Sequence, residues 1–89
     1  MKYYEEENGL RTIENNRSNF VWHQDEFDRM FRLISGEDWF LQIENELPQR
    51  INNQETMFVS KKTWHRVLCL NNEENNPLII TILDFKDNK

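Results

Sequence analysis

The chain has no alanine, two glycines, two prolines and one cysteine among its 89 residues. Without alanine there is no small filler for close helix–helix contact, so any helices are expected to pack on a sheet. Two glycines, Gly9 and Gly36, are too few for a glycine-rich phosphate cradle or a dinucleotide loop, and no P-loop, HExxH or GxSxG is present. One cysteine, Cys69, excludes an internal disulfide. A small domain without such staples suits a reducing compartment, and a cytoplasmic location is expected. The start, MKYYEEENG, lacks the apolar stretch of a signal peptide. The longest apolar run, 78–83, is far too short to span a bilayer.

What the chain does have is aromatic mass. Apolar residues make up 37% of it and aromatics 12%, including three Trp and six Phe. Each aromatic buries roughly 150–250 Å² when internal, enough to fold a chain that its charge alone would leave disordered. The length allows one core, so residues 1–89 are read as a single domain with 1–8 frayed.

Residues 10–14 and 19–23 look extended, with a turn-rich Asn15-Asn16-Arg17-Ser18 between them. Phe27, Met30, Phe31 and Ile34 stand at i, i+3, i+4 and i+7, which predicts a helix at about 24–35 closed by Gly36. Trp39, Phe40, Ile43 and Leu47 fit a second helix at about 37–47. A strand in which Trp39, Leu41 and Ile43 alternate competes with it, and the helix is preferred. Residues 56–59 and 63–70 read as strands, and LIITILDF at 78–85 is the clearest one. The fold class expected is α+β: an antiparallel sheet of four or five strands with one or two helices on one face.

The charge is concentrated. Residues 24–46 hold seven carboxylates and two arginines, a balance that equals the net −5 of the whole chain. On a helix, the acids fall off the apolar stripe and face solvent. The expected partner-binding face is Asp25, Glu26, Asp28, Glu37, Asp38, Trp39, Glu44 and Glu46, with Trp39 as an aromatic anchor. Such a face would meet a basic protein, such as a nuclease or another nucleic-acid-binding enzyme, and speed encounter at low salt. Net negative charge argues against direct binding of nucleic acid or anionic membrane. A solvated helix face is the plainer explanation of the same pattern.

The remaining clusters are weaker. Lys61, Lys62, His65 and Arg66 could serve a small ribonuclease of RelE type, though an acidic chain suits RNA poorly, and lysines protecting an edge strand explain them as well. On a strand, His65 and Cys69 stand roughly 13 Å apart, too far to share a metal or to form a nucleophile pair, and His23 would be needed as a third ligand. The pairs Trp22-His23 and Trp64-His65 are read as chance. The expectation is therefore a non-enzymatic, cofactor-free and metal-free acidic inhibitor of phage anti-defence, anti-CRISPR, immunity or antitoxin type. The alternatives are an adaptor that binds a host protein by an apolar patch or strand edge, and a RelE-like ribonuclease using His65. Homodimerisation stays open.

Overall fold

The computed structural model describes the backbone of residues 2–88 and the side chains of residues 9–86. The expectation that residues 1–8 are frayed falls on a segment whose side chains lie outside the described residues. Seven strands run β1 (Lys2–Ile13), β2 (Asp28–Ser35), β3 (Trp39–Ile43), β4 (Gln49–Arg50), β5 (Thr56–Val59), β6 (His65–Cys69) and β7 (Leu78–Asn88), with a short 3-10 turn at Arg17–Asn19. They form two antiparallel sheets, ordered β1-β7-β2-β5 and β4-β3-β6.

The expected α+β class is therefore corrected to an all-β fold, and both predicted helices are absent. The segment read as a helix at 24–35 contains β2, and the one at 37–47 contains β3. The reason lies in pairing. Strand β2 sits between β7 and β5, with Met30 opposite both Leu83 and Phe58 and Phe31 opposite both Ile82 and Met57. Phe31 and Leu33 point into the core, while Met30 and Ile34 cover the other face. A sheet that is apolar on both faces loses strict alternation, and its apolar residues then imitate a helical stripe. In β3 the alternation is clean: Trp39 and Leu41 are buried, and Phe40 and Gln42 are less so. Among the described residues no helix is long and apolar enough to cross a membrane.

The core lies between the sheets. Phe31, Leu33, Met57, Val59, Leu78, Ile80 and Ile82 come from one sheet, and Trp39, Leu41 and Cys69 from the other. Leu33, Leu78 and Val59 are almost fully enclosed, each worth about 1.5–3 kcal/mol in apolar burial. Trp39 is 0% exposed and edge-on to Phe20, and its indole N–H donates to the Asn76 carbonyl at 3.1 Å. The chain passes from one sheet to the other through Gly36, where φ is +125° and a Cβ would meet the Pro77 carbonyl oxygen at 2.9 Å. Only glycine fits that crossing.

Candidate metal centre

Residues 20–25, between the 3-10 turn and β2, run beside β6. His23 and His65 exchange backbone hydrogen bonds of 2.9 and 3.0 Å in an isolated antiparallel bridge. Residues that face each other across such a bridge project to the same side, and the two imidazoles lie 4.2 Å apart between centroids. Asp25 stands two residues after His23. Extended backbone places residues i and i+2 on one face, so its carboxylate joins the two rings. One donor atom from each of His23, Asp25 and His65 lies within 4.8 Å of the others.

The orientation of the rings is fixed from behind. His65 Nδ1 is 2.7 Å from the Thr63 carbonyl oxygen and His23 Nδ1 is 3.2 Å from that of Val21. A carbonyl only accepts, so each Nδ1 carries its hydrogen and each Nε2 keeps a lone pair when the ring is neutral. Those Nε2 atoms face the carboxylate, at 3.2 Å from His65 to Asp25 Oδ2 and 3.9 Å from His23 to Oδ1. Oδ2 is shut off from solvent, and it has no aligned hydrogen-bond donor. Lone pairs converging on a carboxylate repel unless a cation lies among them. The cation is either a proton on imidazole or a metal ion.

The electrostatics agree. Burial alone would raise the Asp25 carboxyl, but His65, Arg29 and His23 outweigh it and hold it below its ordinary 3.8. Burial likewise pushes the His65 imidazole down, yet Asp25 and the Thr63 carbonyl lift it above 6.5. Behind the carboxylate, Arg29 is 3.4 Å from Asp25 Oδ1 and forks onto Asp84, with Nε–Oδ1 at 2.6 Å and Nη2–Oδ2 at 3.3 Å.

The donor set fits a metal. Donors bound at about 2.0–2.2 Å to one ion stand roughly 2.9–3.5 Å apart. The 3.2 Å separation of His65 and Asp25 Oδ2 already matches, whereas the three donors spread over as much as 4.8 Å, so His23, now 3.9 Å from Oδ1, would move in by about an ångström. His23 has a side chain 47% exposed against 6% for His65, so it is the ligand least held by packing. Two imidazoles and one carboxylate, each imidazole hydrogen-bonded through its far nitrogen, suit iron(II) and other borderline divalent ions.

Of the eight residues read as an acidic face, Asp25 alone belongs to this cluster. Asp28 accepts the Lys61 backbone N–H at 2.8 Å, and Glu44 that of Trp64 at 3.2 Å. Asp38 bonds Arg50 and Asn71, Trp39 is enclosed in the core, and Glu26, Glu37 and Glu46 are exposed. The segment folds back through two turns, so these acids lie on separate strand ends rather than on one helix face. The basic cluster also divides, because alternation along β6 turns His65 inward and Arg66 outward onto Trp22. Cys69 lies elsewhere, with its thiol beside the Glu37 carbonyl.

No family model and no curated sequence matches the chain. Solved structures do. The chain is similar to the iron(II) form of HppE in complex with substrate, at TM-score 0.66 and 10% identity, covering 85% of this chain and 43% of that one. It therefore spans less than half of that protein. A cupin-2 domain protein from Shewanella frigidimarina gives TM-score 0.64 and 18% identity, over 94% of this chain and 71% of that one. A cupin domain from Bordetella pertussis gives 0.60 and 10%, over 98% and 99%. The fold is cupin-like. That likeness overturns the expectation of an acidic inhibitor of anti-CRISPR, immunity or antitoxin type, together with the adaptor and RelE-like ribonuclease alternatives. The charge map that suggested an inhibitor counted Asp25 as a surface acid, whereas its part-buried side chain, 11% exposed, faces two histidines.

Proposed function

We propose that this chain is a cupin-type metalloprotein domain in which His23, Asp25 and His65 hold one divalent first-row transition ion, iron(II) foremost, and that it acts as an enzyme at that ion. The observation that carries this reading is the pair of imidazole Nε2 atoms turned, by their Nδ1 bonds to Val21 and Thr63, onto the two oxygens of the Asp25 carboxylate, of which Oδ2 is shut off from solvent. The cupin-like fold supports it, and among its neighbours is an iron(II) protein with bound substrate. Three protein ligands leave coordination positions open, and a bound ion would there offer a Lewis acid to an oxygen-bearing small molecule. His65 and Asp25 supply the fixed part of the cage. His23, at the exposed edge, is the ligand that adjusts.

The test is anaerobic titration of the metal-free protein with iron(II), cobalt(II), manganese(II) and zinc(II), with metal content measured after dialysis. One ion per chain is expected. His65→Ala should lose more than tenfold in affinity, and Asp25→Asn a similar amount. No stoichiometric binding of any of the four ions, or binding indifferent to His65→Ala, overturns the proposal.

A further inference from the structure

The Arg29–Asp84 pair lies behind the three donors and is not needed to explain the fold's core. Asp84, on β7, is 3% exposed, and Arg29, on β2, stands directly opposite it in the register. One guanidinium edge is given to Asp84, and the remaining nitrogen, Nη1, approaches Asp25 Oδ1 at 3.4 Å. The two oxygens of Asp25 are thereby made unequal. Oδ1 faces a permanent cation, with His23 Nε2 at 3.9 Å, and the enclosed Oδ2 faces His65 Nε2 alone at 3.2 Å.

We infer that Asp84 and Arg29 are positioning residues: Arg29 occupies Asp25 Oδ1 and so presents Oδ2 as the metal-binding oxygen, while Asp84 keeps Arg29 from taking the whole carboxylate. This rests on the metal reading given above. Its physical content is a competition. A guanidinium and a divalent ion both seek the Asp25 carboxylate, and a guanidinium with no other partner would clasp both oxygens in a bidentate fork. Asp84 engages Nε and Nη2, leaving one nitrogen for Asp25. The charges of Arg29 and Asp84 also cancel, so the pair orients the ligand without adding net positive charge beside the ion.

The competition makes an unusual ordering of variants. Asp84→Asn frees Arg29 to clasp Asp25 and should weaken cobalt(II) binding about 10–100-fold. The double variant R29M/D84L removes the rival cation along with its partner, and it should bind cobalt(II) more tightly than Asp84→Asn alone. A pair that only supported the fold would lower affinity in step with melting temperature, whereas a rival guanidinium lowers the cobalt(II) affinity of Asp84→Asn beyond any loss its metal-free melt explains. Cobalt(II) titration followed by its visible absorption band reads both affinity and ligand geometry, and a thermal melt of each metal-free variant confirms folding. Should Asp84→Asn not fold, Arg29→Met against R29M/D84L gives the second comparison: each lacks the rival cation, so their affinities should agree within a few-fold. Wild-type affinity in Asp84→Asn, or a double variant weaker than it, overturns the inference and leaves the metal site standing. Failure of the wild-type protein to bind cobalt(II), iron(II) or zinc(II) overturns the metal reading itself, and this inference with it.

Discussion

Asp25 and Asp38 both have carboxyls held below the ordinary value, and they reach that state in opposite surroundings. Asp38 sits in the β2–β3 turn at φ +61°, with a side chain 44% exposed. Asn71 at 3.0 Å is the main cause of its lowering, and Arg50 at 3.1 Å adds to it. Asp25 has a side chain 11% exposed, and burial works against its charge. Its neighbours must first offset that desolvation before they lower anything. At the turn, water stands in for any partner that is removed. In the interior no such replacement exists, so the consequences of breaking one contact differ between the two regions.

The sharpest way to break the comparison is to remove one half of the interior ion pair. Asp84→Leu leaves the part-buried Arg29 guanidinium without its fork and with Asp25 as its remaining acidic contact, and breaking one half of such a pair costs up to about 3–5 kcal/mol. For a domain of this size the melting temperature should fall by on the order of 20 °C. In R29M/D84L both charges go, and exchange of a buried pair for apolar groups of similar volume is often neutral, so most of that loss should return. Thermal melts of the three metal-free proteins check it. A drop of only a few degrees in Asp84→Leu would mean that solvent and Asp25 together compensate Arg29, and burial would not set the cost.

A smaller effect follows from pH. In the metal-free protein His65 has a folded pKa above 6.5, so its contribution to stability is fully present below 6.5 and is lost as pH rises through the folded value. Asp25 has a folded pKa below 3.8, so its contribution is present above 3.8 and is lost as pH falls through the folded value. The pair is therefore most stabilising in weakly acidic solution, where imidazolium faces carboxylate. Melting temperature should decline from pH 6 toward pH 9, and His65→Gln should flatten that decline. Metal binding runs the other way, because it needs the neutral imidazole, and affinity should climb as pH passes the His65 value. Denaturant titrations at stepped pH, with and without cobalt(II), separate the two trends.

How much of this was legible in the sequence depends on whether the signal was local. The β-branched run at 78–85 is unambiguous because Ile79, Ile80, Thr81 and Ile82 favour extended backbone whatever they pack on, and β7 lies there. The region around β2 misleads because Met30 and Ile34 answer to one face of the sheet and Phe31 and Leu33 to the other, and only pairing with β7 and β5 decides it. The strand alternative at Trp39, Leu41 and Ile43 was visible and corresponds to β3. The site is non-local: His23 and His65 are joined by a backbone bridge across 42 positions, which no spacing rule reveals. One local sign was present. His23 and Asp25, two apart in an extended stretch, had to share a face, and that pattern carried more than the net charge of the segment did.

The smallest expected effect lies at the turn and completes the contrast. Arg50 belongs to the two-residue β4, pairs with Asp38 and lies 4.8 Å over the Phe40 ring. Its own side chain is 52% exposed, and exposed ion pairs contribute little because solvent screens them and ordering two side chains costs entropy. Arg50→Ala should leave the melting temperature unchanged within error. It should also leave the Asp38 carboxyl below 3.8, because Asn71, the larger cause, remains; Asn71→Ala should raise that carboxyl further than Arg50→Ala does. Carbon-detected NMR titration of the Asp38 carboxyl reads both variants. If Arg50→Ala destabilised the protein as much as Asp84→Leu, burial would not be what distinguishes the two aspartates, and the interior pair would lose its claim to a special role.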